Sequence, residues 1–201
     1  MGQVKKSEVK EAILASAHRL FGRKGYNDTT IARIAADAGI STANVYVYFR
    51  SKIEILYAIY DPWMRARLSR LERELARIRD PRRRLKKLFG TLWRDIPAED
   101  NGFANNIMQA ISTAAPGGGY RPTLLRWMEQ KLAEMVTAAL PARRRRMLGR
   151  ARLAHLMVMA FDGFIVYHHL NPAGPCDGAT IDYFCSLLLG DSADGPRRAR
   201  Y

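Results

Sequence analysis

Cysteine is nearly missing from this chain: two residues in 201, Cys176 and Cys185. That count makes neither a disulfide framework nor a zinc set, and it suits a reducing compartment, so a cytoplasmic protein is expected. No uninterrupted apolar run reaches the roughly 18 residues of a membrane span. The longest stretch, Leu156 to Tyr167, is broken at Asp162. The first residues, Val4-Lys5-Lys6-Ser7-Glu8-Val9-Lys10-Glu11, have no apolar segment behind their lysines, so no secretory signal is read. Fifteen glycines and nine prolines are too few for a collagen-like or linker-dominated chain. His-Glu-x-x-His, Cys-x-x-Cys and any acidic cluster are absent, as is a Ser/His/Asp grouping at readable spacing. Gly117-Gly118-Gly119 follows a helical stretch and reads as a flexible loop, not a phosphate cradle. An enzyme is therefore not expected, and neither a metal nor a cofactor is implied.

What the chain does have is positive charge and helical periodicity. Lys and Arg number 33 against 19 Asp and Glu, a net charge of +14. A polyanion is the first partner to consider. Yet residues 1–60 hold only nine basic and five acidic groups, so most of the excess lies beyond them. Eleven basic groups fall between Arg65 and Lys87 and four more in Arg143–Arg146; such runs also serve simply to solvate helix faces, so charge alone does not locate a site.

Alternating runs rich in β-branched residues do not occur, and the predicted fold is all-α. Val9, Ile13, Ala17 and Leu20-Phe21 share one helical face, with Ser7 as cap and Gly22 or Gly25 as terminus. A short helix over 31–38 stops at Gly39, and a third opens at Ser41 and runs through Phe49. Ser51-Lys52-Ile53-Glu54 matches a capping box, starting a fourth helix to about Arg79 that Pro62 should bend or break. Asp80-Pro81 starts a fifth helix that ends before Pro97. Further helices are expected over 101–114, 122–140, 142–170 and 178–189, nine in all, with a frayed basic tail over 191–201.

Ile34-Ala35, Gly39-Ile40 and Val45 carry the spacing of a helix-turn-helix: a small residue at the crossing, a glycine in the turn and apolar plugs between the helices. An ordinary αα-corner shares that pattern. The segment Thr42-Ala43-Asn44-Val45-Tyr46-Val47-Tyr48-Phe49 then offers small, polar and aromatic groups suited to a major groove, with Lys52 at the next helix start.

The runs Ala17-His18-Arg19-Leu20-Phe21, Gly25-Tyr26, Thr29 to Ala35, Ala38-Gly39-Ile40-Ser41, Val45-Tyr46, Tyr48-Phe49 and Ser51 to Leu56 together resemble the N-terminal signature of the TetR family of bacterial transcriptional regulators. The likeness covers roughly residues 9–60. It implies a helix-turn-helix domain over 1–50, a ligand-binding and dimerisation domain over 51–190 and a tail over 191–201. By the same resemblance Thr42, Ala43 and Asn44 face bases, and Thr30, Tyr46, Tyr48 and Lys52 face phosphates of double-stranded operator DNA. Val47 departs from a frequent aromatic or His, and Ala43 from a frequent Gly or Pro. Arg33 replaces a frequently acidic residue, either as a phosphate contact or as a solvated side chain.

In the remainder, Met and aromatic side chains at helical spacing read first as core. The resemblance turns Trp93, Phe103, Asn106, Trp127 and Met159 into candidates for a cavity taking a small apolar or aromatic effector. Helices 142–170 and 178–189 carry more apolar surface than one small domain hides, and by resemblance form a homodimer interface; burial of both within one chain is the alternative. The resulting expectation is a ligand-responsive, homodimeric regulator acting as a repressor on a palindromic operator. A helical small-molecule carrier with a degenerate helix-turn-helix is the competing reading.

Overall fold

The structure, a computed structural model, describes residues 2–99, 102–113, 123–171 and 176–190. Every regular element among them is helical. Helix α1, Gly2–Asp28, begins ahead of the expected cap, so Ser7 lies inside the helix and its hydroxyl donates to Glu11 Oε1 at 3.0 Å instead of capping. Of the two glycines offered as terminus, Gly25 is the one that breaks the helical path, at φ 75° and ψ 176°. Helices α2 (Ile31–Asp37) and α3 (Thr42–Tyr48) follow, then α4 (Lys52–Ala76), which continues as helix through Pro62 and ends three residues short of Arg79.

Pro97 does not stop the next helix. Helix α5 (Pro81–Gly90) passes into a π-helical turn, Thr91–Asp95, and emerges as α6, Ile96–Glu99, which contains the proline. A proline lacks its own N–H and crowds the carbonyl four residues back, here Trp93; a widened turn placed just ahead of it relieves both demands. Helix α7 spans Phe103–Ser112 and α8 Thr123–Ala139. The long helix expected over 142–170 is two: α9 (Ala142–Met147) and α10 (Arg150–Leu170), parted where Leu148 and Gly149 turn extended. Helix α11 is Gly178–Leu189, capped by Asp177, whose carboxylate accepts from Thr180 N–H at 2.6 Å. The triple-glycine segment and the 191–201 tail lie outside the described residues.

By compactness the chain forms two units, with a division inside α4. One unit joins Met1–Arg67 with Pro97–Pro122; the other joins Leu68–Ile96 with Thr123–Tyr201. The first takes in α7 because that helix packs on α1: Phe103 stacks on His18 with ring centroids 4.9 Å apart, and Asn106 Nδ2 donates to Phe21 O at 3.3 Å. In the second unit α10 packs on α8, and α11 on α5. Its interior includes Leu85, Phe89, Leu132, Val136, Met157 and Cys185.

The apolar residues of α10 and α11 divide between two directions. Met157, Ile181, Cys185 and Leu188 are buried within the unit, while Leu156, Met159, Val166, Tyr167 and Leu170 remain exposed along one side of α10, with Tyr183 and Leu187 on α11. Leu156 is 62% and Leu170 71% exposed. Residues 152–170 reach a mean hydropathy of 1.2, long and apolar enough by composition to cross a membrane, although Asp162, His168 and His169 interrupt them.

Candidate nucleic-acid interface

Local chemistry sets the two short helices of the turn. Thr30 Oγ1 accepts from Arg33 N–H at 3.2 Å to start α2, and Ser41 Oγ accepts from Asn44 N–H at 3.2 Å to start α3. Between them Ala38 N–H reaches Ile34 O at 2.9 Å, Gly39 N–H reaches Ala36 O at 3.2 Å and Ile40 N–H reaches Ala35 O at 3.0 Å. Gly39 holds φ at 69°, and nothing lies within 4 Å of where its Cβ would be, so backbone freedom alone explains this glycine. Ile34, Ala35 and Val45 are buried between the helices, as the spacing predicts.

The pair is pinned to α1 by polar contacts as well. The buried Ser16 hydroxyl donates to Ile34 O at 3.1 Å, and Arg19 meets Asp37 at 2.6 Å. Arg33, left open between phosphate contact and solvation, donates to Asp28 O and so braces the end of α1.

With α2 and α3 held this way, α3 leaves Thr42, Ala43, Asn44, Tyr46 and Val47 exposed, and Tyr48 half-buried. Thr30 is exposed too; its oxygen serves the cap while its own proton is available to an acceptor. This side of α3 therefore combines amide, hydroxyl, methyl and phenol groups on a rigid support, the mix that base edges and phosphates require.

Lys52 sits differently from what the sequence implies. Its ammonium donates to Tyr26 O at 2.6 Å and lies 4.0 Å from the Tyr26 ring centroid. Burial pushes its pKa below the ordinary lysine value, opposed by the charge of Asp28, and burial also raises the Tyr26 phenol. Tyr26 is thus a site residue that sequence reading missed. Its only signal was the Gly25-Tyr26 pair, where the positive φ of Gly25 turns the chain so that Tyr26 meets α4. The capping box is likewise shifted: Glu54 N–H donates to Ser51 Oγ at 3.3 Å, but the carboxylate accepts from Arg50 N–H at 2.7 Å, one residue before Ser51.

The five candidate effector residues fall in both units. Phe103 and Asn106 belong to the first, buried against α1. Trp93, Trp127 and Met159 belong to the second. Trp93, in the π-helical turn, stacks on Phe89 at 4.6 Å and Phe164 at 5.1 Å and meets Phe184 edge-on at 5.0 Å; its buried indole N–H has no hydrogen-bond partner among the described residues. Trp127 is half-buried, and Met159 stands on the exposed side of α10 beside Leu156. Phe89, one turn before Trp93, and Phe184, brought to it from α11, were not among the candidates.

Comparison with known proteins agrees with this geometry. The model for bacterial regulatory proteins of the tetR family matches residues 13–59, the segment from mid-α1 into α4. The uncharacterized HTH-type transcriptional regulator YerO of Bacillus subtilis (strain 168) is 34% identical over 92 residues, 44% of this chain and 32% of that protein. The HTH-type transcriptional repressor BepR of Brucella suis biovar 1 (strain 1330) is 36% identical over 53 residues, 26% of this chain and 25% of that protein. These matches therefore span a third or less of the relatives' own length. In fold the likeness runs further: the TetR family transcriptional regulator PfmR of Thermus thermophilus superposes with a TM-score of 0.59 over 89% of this chain and 97% of that one, at 23% identity. Residues 13–59 thus carry the signature of bacterial regulatory proteins of the tetR family, seated on a helix-turn-helix, and the chain shares its helical fold with a solved regulator of that family.

Proposed function

We propose that the protein is a homodimeric transcriptional regulator that reads a palindromic operator through α2 and α3 and releases it when a small apolar or aromatic effector binds. The observation that carries this is the exposed side of α3, held rigidly by the Ser41 cap and the buried Ile34–Val45 contact while Thr42, Ala43 and Asn44 stay free to meet base edges. Thr30, Tyr46 and Tyr48 serve the phosphates, and Lys52 does so from its seat on Tyr26. Repression as the outcome is supported by BepR, which is named a repressor. The exposed apolar side of α10 and α11 supports a second copy as partner. The indole N–H of Trp93, set among three phenylalanines and without a partner among the described residues, supports an effector with an apolar body and a hydrogen-bond acceptor. The part of the chain beyond residue 50 would then take effector binding and dimerisation.

Selecting bound duplexes from a random pool tests the reading. The wild type should return one palindromic consensus with half-sites about one DNA turn, roughly 34 Å, apart. Asn44→Ala should relax one symmetric pair of positions, since an amide pairing bidentately with adenine supplies about 1–3 kcal/mol of discrimination. A pool that stays random with the wild type refutes the operator reading and favours the carrier.

A further inference from the structure

The second unit gathers arginines at one end. Arg84 bridges the α4–α5 connection to the end of α8: its guanidinium donates to Ile78 O and, at 2.8 Å, to Ala138 O. Helix α9 starts four residues after Ala138 and is tied in turn to the end of α11, where Arg144 donates to Leu187 O and, at 2.7 Å, to Leu188 O. Arg82 at the start of α5 reaches Ser186 Oγ at 3.1 Å. These three inward arginines draw the α4–α5 connection, α9 and the end of α11 into one surface.

On that surface Arg77, Arg79, Arg83, Arg143, Arg145 and Arg146 are exposed, and none of their guanidinium groups has a partner among the described residues. The acidic groups of the neighbouring helices are engaged elsewhere: Asp80 accepts from Arg83 N–H, Glu74 holds Arg70 and Lys87, and Asp182 holds Lys86. Six exposed guanidinium groups without partners among the described residues leave this end of the unit strongly positive, and such a surface suits an anion of matching extent. Guanidinium presents paired donors that fit phosphate oxygens. A membrane surface would also need an apolar face to insert; the one large apolar side chain that six-residue α9 exposes is Met147.

We propose that this arginine end is a second, sequence-independent docking surface for the phosphate backbone of duplex DNA. It belongs to the second unit, not to the helix-turn-helix, and its energy comes from counterion release, so it adds affinity without adding to the sequence read.

The test uses the full chain and an operator-free duplex, with affinity followed by anisotropy between about 50 and 200 mM salt. R143Q/R145Q/R146Q should flatten the slope of log K against log salt by about 2–3, and R77Q/R79Q/R83Q should do the same. The matching lysine triples, which keep the charge, should retain the parent slope and so separate lost charge from lost fold. The consensus selected from a random pool should be unchanged in every triple, so a failed consensus strikes the helix-turn-helix reading alone. Parent slopes in both glutamine triples with unchanged melting overturn the proposal. So does loss of binding to phosphatidylglycerol vesicles at an unaltered duplex slope, which assigns the surface to membrane.

Discussion

Lys52 shows how a single side chain acquires two duties. An ammonium on a carbonyl and a ring face holds the start of α4 against the end of α1, and that contact is partly shielded from solvent. Lys52→Ala should lower stability by about 1.5–3 kcal/mol, the range for a hydrogen bond from a charged group; thermal melts of the two proteins decide it, and equal midpoints would show the contact to be idle. Asp162 is the opposite case, a carboxylate that burial pushes up to about 6. Because its folded pKa exceeds the unfolded value, the folded state holds the proton more tightly, and stability falls as pH rises from about 3.8 through 6. Asp162→Asn should therefore raise the melting temperature at pH 7.5, by the equivalent of about 1–2 kcal/mol once solvent screening is allowed for, and leave it nearly unchanged at pH 4. A gap of the same size at both pH values would mean the effect is not ionisation.

Among the elements, α10 carries the clearest departure from local rules. Gly163 sits in mid-helix, costs about 1 kcal/mol relative to alanine, and has nothing within 4 Å of the position its Cβ would take. Within one chain the glycine has no packing reason. It lies on the exposed side of the helix, in line with Met159 and Val166, where a second α10 crossing closely would need the missing side chain. Gly163→Ala should then stabilise the monomer by about 0.5–1 kcal/mol while weakening self-association, read by sedimentation over a dilution series. Stabilisation with undiminished association places the crossing elsewhere. The π-helical turn is a second such departure, and Pro97 next to it supplies the cause.

For the whole molecule, the question is what covers the exposed apolar side of α10 and α11. Leu156 is its most useful probe because it points away from the unit, whereas Phe184 also packs on Phe89 and Trp93 and would report on the interior. Leu156→Glu should give monomers in sedimentation with little loss of melting temperature, and weaker binding to palindromic DNA because the two reading heads are no longer linked. A Leu156→Glu protein that remains dimeric at equal strength refutes this interface.

Much of the reading head could be read from residues near one another in the chain. The Thr30 and Ser41 caps, the left-handed Gly39 and the buried Ile34, Ala35 and Val45 all act within one or two helical turns, so periodicity and capping chemistry reveal them. The same locality explains the errors nearby: Ser7 looks like a cap until the residues before it prove helical, and Pro97 looks like a stop until the wider turn before it is seen. Contacts between distant segments were settled by tertiary packing instead. The seat of Lys52 on Tyr26, the docking of Phe103 and Asn106 on α1, the meeting of Phe89, Trp93, Phe164 and Phe184, and the gathering of arginines by Arg84 and Arg144 join residues from 26 to more than 90 positions apart. No periodic pattern encodes such pairings, because a helix face records only that a side chain is buried, and the packing of whole helices chooses its neighbour.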